Sequence, residues 1–215
     1  MSREGLFIVL EGPEGSGKST LAGPLAERMR RAGVEPVVVR EPGGTRAGEI
    51  ARQALLDPAH PVGTLAELFL YLAARAELVE TVIAPALAAG RVVLSDRFAL
   101  STEAYQMEGR GIPAEVVLPA NRAATGGLVP DLTLILDLPP EVGRARQLAA
   151  GKRLDRLDAE SDDFHARVVA YYLAARGEGV RHLDGRLPPD QLLQAAWEAV
   201  VAAAPDRFDR VAGRA

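Results

Sequence analysis

Apolar residues fall into two patterns that alternate along the chain. Short apolar runs rich in β-branched residues occur at 6–10, 36–39, 91–95 and 132–138, with a weaker one at 180–183. Such runs mark strands covered on both faces, as in a parallel sheet. Between them lie stretches with helical spacing: residues 20–31, the Ala- and Leu-rich 65–89, and 188–203. The 65–89 helix is expected to break near Pro85, because proline lacks the backbone donor and clashes with the preceding turn. Strand and helix in alternation predict βαβ units, giving a three-layer α/β/α fold around a parallel sheet of about five strands. A chain of 215 residues holds one well-buried core and is short for two. Residues 1–204 are therefore expected to form a single domain. The charged stretch 205–215, short of apolar residues, reads as a frayed tail.

Composition narrows the classes. A net charge of −4 offers no basic field to a nucleic acid. The absence of cysteine excludes a disulfide framework and a thiolate metal site, and makes a cytoplasmic setting the default. Residues 1–10 carry only a five-residue apolar run, too short for a signal peptide, and no segment approaches the roughly eighteen apolar residues of a membrane span. Neither a nucleic-acid nor a membrane partner is expected.

The chemistry concentrates where the first strand ends. Gly12-Pro13-Glu14-Gly15-Ser16-Gly17-Lys18-Ser19 fits the phosphate-binding pattern G-x-x-x-x-G-K-[ST], with a strand before it and a helix opening at Thr20. The glycines let backbone N–H groups curl round phosphates, Lys18 reaches the outer phosphates, and the Ser19 hydroxyl suits a magnesium ion. The chain is thus expected to grip a nucleoside triphosphate. Ligands of open α/β sheets gather at the carboxyl ends of the strands. There the third run delivers Asp96-Arg97, a carboxylate for magnesium and its waters beside a guanidinium for phosphate. The second run enters Arg40-Glu41-Pro42-Gly43-Gly44-Thr45, a turn that aims a charge pair into the same crevice. A surface ion pair and a plain turn are the bland readings; position beside the P-loop favours function. His60, His165 and His182 are too scattered for a metal triad.

Taken together, these motifs resemble the thymidylate kinase family, P-loop kinases that phosphorylate dTMP with MgATP. The resemblance extends through Tyr71-Leu72-Ala73-Ala74-Arg75, Asp96-Arg97-Phe98, Ser101-Thr102-Glu103-Ala104-Tyr105-Gln106, Gly109-Arg110-Gly111, Pro130-Asp131-Leu132-Thr133 and Asp155-Arg156-Leu157-Asp158. It implies that Tyr71, where the family usually has Phe, stacks on the base. It also implies that Arg75 bonds the base, that Thr102 and Gln106 touch its edge, and that Tyr105 crowds the sugar where a ribonucleotide carries its 2′-hydroxyl. Glu14 would reach the acceptor's sugar, Arg97, Arg40 and Arg52 its phosphate, while Asp96, Glu41 and Ser19 organise magnesium. The residue pairs at i and i+4 share a helix face, so each can grip one base.

A cationic lid is expected at about 144–156, where Arg144, Arg146, Lys152, Arg153 and Arg156 straddle Gly151. Position 15 is Gly, which resembles the bacterial members that place catalytic cations in the lid; Arg146, Arg153 and Arg156 are the candidates. The resemblance also implies a homodimer, with the apolar face of 65–89 at the interface. Two alternatives stay open: a kinase of another nucleoside or deoxynucleoside monophosphate, and a nucleotide-binding switch. Against the switch, the chain has no Asn-Lys-x-Asp and no Leu-Ser-Gly-Gly-Gln segment.

Overall fold

The structure is a computed structural model that describes residues 4–151 and 155–208. In chain order these form β1 (Leu6–Glu11), α1 (Lys18–Arg31), β2 (Val37–Arg40), α2 (Arg46–Leu56), α3 (Thr64–Leu78), a π-helical turn at Val79–Ile83 and α4 (Ala84–Ala88). Then come β3 (Val92–Asp96), α5 (Ala99–Thr102), a second π-helical stretch at Glu103–Gly109, α6 (Ala114–Thr125), β4 (Leu132–Asp137), α7 (Pro140–Ala149) and α8 (Asp162–Ala174). β5 (Val180–Asp184), α9 (Pro189–Ala203) and α10 (Pro205–Phe208) follow.

The five strands make one parallel sheet in the order β2-β3-β1-β4-β5. Because successive side chains of a strand point to opposite faces, β1 feeds two cores. Leu6, Ile8 and Leu10 pack with Leu21, Leu25 and Met29 of α1 and Ala196 and Val200 of α9. Phe7 and Val9 pack on the other face with Leu78, Ile83, Leu87 and Phe98. Each fully buried Leu or Ile contributes roughly 1.5–3 kcal/mol. Helices on both faces complete the three-layer α/β/α P-loop fold. Leu10 of β1 and Arg40 of β2 both pair with Asp96 of β3. The P-loop, the Arg40-Glu41 turn and Asp96-Arg97 therefore emerge level with one another.

Two expectations change. The 65–89 helix does not break at Pro85; it widens into the π-helical turn Val79–Ile83 and continues as α4, with Pro85 in the first turn. The Ala84 N–H bonds five residues back to the Val79 carbonyl, the wider spacing of a π turn, which relieves the crowding a proline imposes on the turn before it. Residues 205–208 are not frayed: they form α10, where Phe208 is 3% exposed and meets the Trp197 ring edge-on at 5.3 Å. One buried aromatic outweighs the polar character of its neighbours, and Arg207 adds a hydrogen bond to the Gly90 carbonyl at 3.0 Å. Residues 209–215 lie outside the described residues. Among the described residues no helix is long and apolar enough to cross a membrane.

Phe208→Ala is expected to cost about 3 kcal/mol of stability, the order typical of a buried Phe truncation, with the P-loop site untouched. Urea unfolding checks this; an unchanged midpoint would show that α10 adds nothing to the core.

Candidate active site

The P-loop wraps its own lysine. The Lys18 ammonium donates to the carbonyls of Gly12 and Pro13, both at 2.8 Å, and to Ser16 Oγ at 3.2 Å. Burial, helped by the charge of Arg97, pulls its pKa down to about 8 against the opposing carboxylates of Asp96, Glu14 and Glu11. Ser19 Oγ donates to Asp96 Oδ2 at 2.6 Å, joining the hydroxyl and carboxylate expected at magnesium. Gly15 has φ +71°, and a Cβ there would stand 2.4 Å from the Gly143 carbonyl oxygen. A Cβ on Gly143 would in turn meet the Glu14 carbonyl at 2.3 Å. The loop and α7 thus touch backbone to backbone, which any side chain at either position would prevent.

Arg97 bridges the loop to the helical layer. Its φ of +76° is left-handed, costly for a residue with a Cβ. The conformation is held by its N–H on the Leu10 carbonyl at 2.9 Å and by Ser95 Oγ, which donates to its carbonyl at 2.7 Å. The guanidinium donates to Gly12 O at 3.2 Å, Ser101 Oγ at 3.1 Å and Glu14 Oε1 at 2.9 Å, and lies 5.1 Å from the Tyr105 ring centroid. The other Glu14 oxygen accepts from the Tyr105 hydroxyl. Burial holds that phenol well above its ordinary pKa, so it remains a donor. Beneath them Glu11 accepts from the N–H groups of Phe98 at 2.9 Å and Ser101 at 3.2 Å, Ser101 Oγ at 2.6 Å and Tyr172 OH at 2.9 Å. Burial raises the Glu11 pKa, against the charge of Arg97 and these donors.

A cavity of about 670 Å³ runs from residues 14–20 to Tyr71, Thr102, Tyr105 and Gln106. Gly12 and Pro13 are not among its lining residues; their carbonyls accept from Lys18. Arg40 and Arg52 line its side; Arg40 pairs with Glu49 at 2.9 Å, and Arg52 donates to the Pro42 carbonyl at 3.0 Å. Arg75 and Glu41, expected at the base and at magnesium respectively, pair with each other. Glu41 Oε2 lies 2.7 Å from both Nε and Nη2 of Arg75. Arg75 also donates to Thr102 Oγ1 and Asn121 Oδ1, both at 2.7 Å, and to the Phe98 carbonyl at 2.9 Å, so all three of its nitrogens are engaged. Glu41 Oε1 is buried without a hydrogen bond, and burial raises that carboxyl's pKa against the pull of Arg75. Burial and the charge of Glu67 push the Tyr71 phenol above its ordinary range, which keeps it neutral.

The lid candidates separate. Arg146, on α7, lines the cavity and donates to the Gly185 carbonyl at 2.7 Å. Arg144 faces Asp162 at 3.7 Å on the surface. Arg156 turns to α3, 2.6 Å from Glu67 Oε2, and donates to the Leu55 carbonyl at 3.1 Å. Arg153 and Lys152 lie outside the described residues. Sequence reasoning missed Glu67, Asn121, Tyr172 and Gly143. Glu67 had a signal, since it precedes Tyr71 by four residues and Arg75 by eight on one helix face; the others had none.

Residues 10–195 match the family model described as thymidylate kinase, from the end of β1 into α9. The chain belongs to the thymidylate kinase family. The thymidylate kinase of Ectopseudomonas mendocina (strain ymp) is 51% identical over 179 residues, 83% of this chain and 85% of that protein. That of Synechococcus sp. (strain JA-2-3B'a(2-13)) is 48% identical over 198 residues, covering 91% and 94%. The thymidylate kinase of Deinococcus radiodurans is 45% identical over 200 residues, covering 92% and 97%.

Because burial pulls the Lys18 pKa down to about 8 and a polyphosphate favours its ammonium form, triphosphate binding is expected to take up a proton near that pH. The Kd for ATP is expected to rise once the pH passes 8, by up to roughly tenfold per unit. Titration calorimetry at pH 7, 8 and 9 checks it; a Kd unchanged to pH 9 would remove Lys18 from phosphate binding.

Proposed function

We propose that the protein transfers the γ-phosphoryl group of ATP to dTMP, giving ADP and dTDP on the route to dTTP for DNA synthesis, in a cytoplasmic setting. One observation carries this: a single cavity has the P-loop at one end, an aromatic and amide pocket at the other, and Arg97 between them. The acceptor phosphate attacks the γ-phosphorus, and the bond to the β-phosphate breaks with its electron pair going to ADP. A phosphate dianion needs no general base, so alignment and charge neutralisation supply the catalysis.

In this reading Lys18 and the loop amides of residues 12–20 hold the triphosphate, and Arg97, Arg40 and Arg52 hold the acceptor phosphate. Arg146 comes from the lid segment 144–156, while Arg156, engaged by Glu67, anchors that segment. Tyr71 stacks on the base, Thr102 and Gln106 meet its edge, and Arg75 holds Thr102 in place. Tyr105, hydrogen-bonded to Glu14, fills the space a 2′-hydroxyl would need and so selects deoxyribose by exclusion. Magnesium fits the hydroxyl and carboxylate of Ser19 and Asp96, a hard-oxygen pair of the kind that holds Mg²⁺ together with substrate phosphates. Glu41 could join only by leaving Arg75. When bound, the ion neutralises charge on the β- and γ-phosphates. We treat residues 1–204, together with α10 packed against α9, as one kinase domain.

Coupled ADP release with MgATP against dTMP, dUMP, dCMP, dGMP, AMP and no acceptor tests the reading. A dominant dTMP-dependent rate is expected. Activity with another acceptor would keep a kinase and overturn the base-pocket roles; ADP release indifferent to acceptor would favour a switch.

We also propose a homodimer. Ile50 of α2, Leu65 and Phe69 of α3, and Val116 and Leu118 of α6 are exposed apolar residues on helices that pack side by side through α3. Phe69 is 54% exposed, and with Leu65 it shares one helix face. Analytical ultracentrifugation at micromolar concentration is expected to show a dimer, and Phe69→Glu a monomer. A monomeric unmodified chain would sink the proposal.

A further inference from the structure

Glu67 is the most connected carboxylate behind the base pocket, and none of the roles assigned above to the reacting groups uses it. It is fully buried on α3. Its Oε1 accepts from Gln106 Nε2 at 2.8 Å and Arg110 Nε at 3.2 Å; its Oε2 accepts from Arg110 Nη2 at 3.0 Å and lies 2.6 Å from Arg156 Nη2. Burial alone would raise its pKa, yet the hydrogen bonds from Arg110 and Gln106 outweigh burial and hold it below the usual range. Glu67 is therefore a carboxylate and accepts only. An amide facing it must present nitrogen, which leaves the Gln106 oxygen turned elsewhere. That oxygen accepts no hydrogen bond from any described side chain and is not among the sealed, unpartnered atoms, while Gln106 itself lines the cavity.

We propose that Glu67 is a positioning residue that sets the polarity of the base pocket: by taking the Gln106 NH₂ group it presents the amide oxygen to the cavity, so the pocket selects a pyrimidine whose ring edge carries an N–H, thymine or uracil, over cytosine, whose corresponding nitrogen carries none. The inference rests on the dTMP reading above and adds the residue that enforces it. A pocket acceptor facing a ring nitrogen that is itself an acceptor leaves both unpaired, the strongest basis for rejecting an analogue. The two arginines serve the same end. They keep Glu67 ionised, and ionisation prevents the amide from turning over.

The test compares kcat/KM for dTMP and dCMP in Glu67→Gln, Gln106→Ala and the double variant. Gln at position 67 can donate as well as accept, so Gln106 is free to turn over, and the dTMP-to-dCMP ratio is expected to fall at least about tenfold. In the Gln106→Ala background the same substitution is expected to leave the ratio unchanged, because Glu67 acts through that amide. Where Glu67→Gln does not fold, Glu67→Asp keeps a charge for Arg110 and Arg156 while withdrawing the carboxylate from Gln106, and the same fall in ratio is expected. Equal losses for both acceptors, with the ratio intact, would mean that Glu67 only supports the fold and would overturn the proposal. A fall in ratio that persists without Gln106 would overturn it as well. If the unmodified protein shows no dTMP-dependent ADP release, the dTMP reading fails first; with that activity intact, an unchanged ratio in the variants fails Glu67 alone.

Discussion

The guanidinium of Arg97 is the point where the sheet, the P-loop and the helical layer meet. Its position depends on the strand order, since only the adjacency of β1 and β3 brings the Arg97 N–H to the Leu10 carbonyl and its side chain to Gly12 and Glu14. The left-handed backbone at Arg97 is unfavourable by itself and persists because the surrounding hydrogen bonds over-determine it. Glu14 then balances the charge, Tyr105 caps Glu14, and Glu11 fixes the start of α5 from below. In the proposed reaction, a cation held this way would be aimed before the acceptor phosphate arrives, so little reorganisation would be required at the moment of reaction.

The same economy governs the second layer. Arg75 with Glu41, and Glu67 with Arg110 and Arg156, place buried charges behind the pocket. Such pairs seldom stabilise a fold on balance, because desolvation offsets their attraction, but removing one partner typically costs about 3–5 kcal/mol. They act as position-setting devices on which the two ends of the site depend. Arg75 holds Thr102 through Nη1, and Glu67 holds Gln106 while tethering Arg156 from beyond α7. The apolar cores on both sides of the sheet carry the stability that these arrangements do not supply. α7 is seated on the P-loop by the close contact of Gly15 and Gly143, which ties that helix to the P-loop end of the cavity.

Much of this was legible along the chain, and the reasons are local. Five apolar runs became five parallel strands: the central β1, β3 and β4 are covered on both faces and so nearly apolar throughout, while the edge strand β5 is half-exposed and left the weakest run. The P-loop was readable because its glycines, Lys18 and Ser19 act within a few consecutive residues. The charged end residues of β2 and β3 could be assigned to the site because open α/β sheets collect ligands at those ends. Helix termini and exceptions were harder: Pro85 produced a widened turn instead of a break, and Phe208 drew α10 into the core through a contact with Trp197 that no local pattern announces.

The sequence by itself determined the strands, the phosphate-binding loop, the family, and the set of polar residues that chemistry would use. Only the tertiary structure decided how those residues are paired. Glu41 meets Arg75 across 34 positions, Glu67 meets Arg110 across 43, and Glu11 meets Tyr172 across 161. Periodicity reports which face of an element is buried, but a hydrogen bond between elements depends on where the whole sheet and its helices place two side chains. The sequence can supply the charges; their partners follow only once the chain has closed around them.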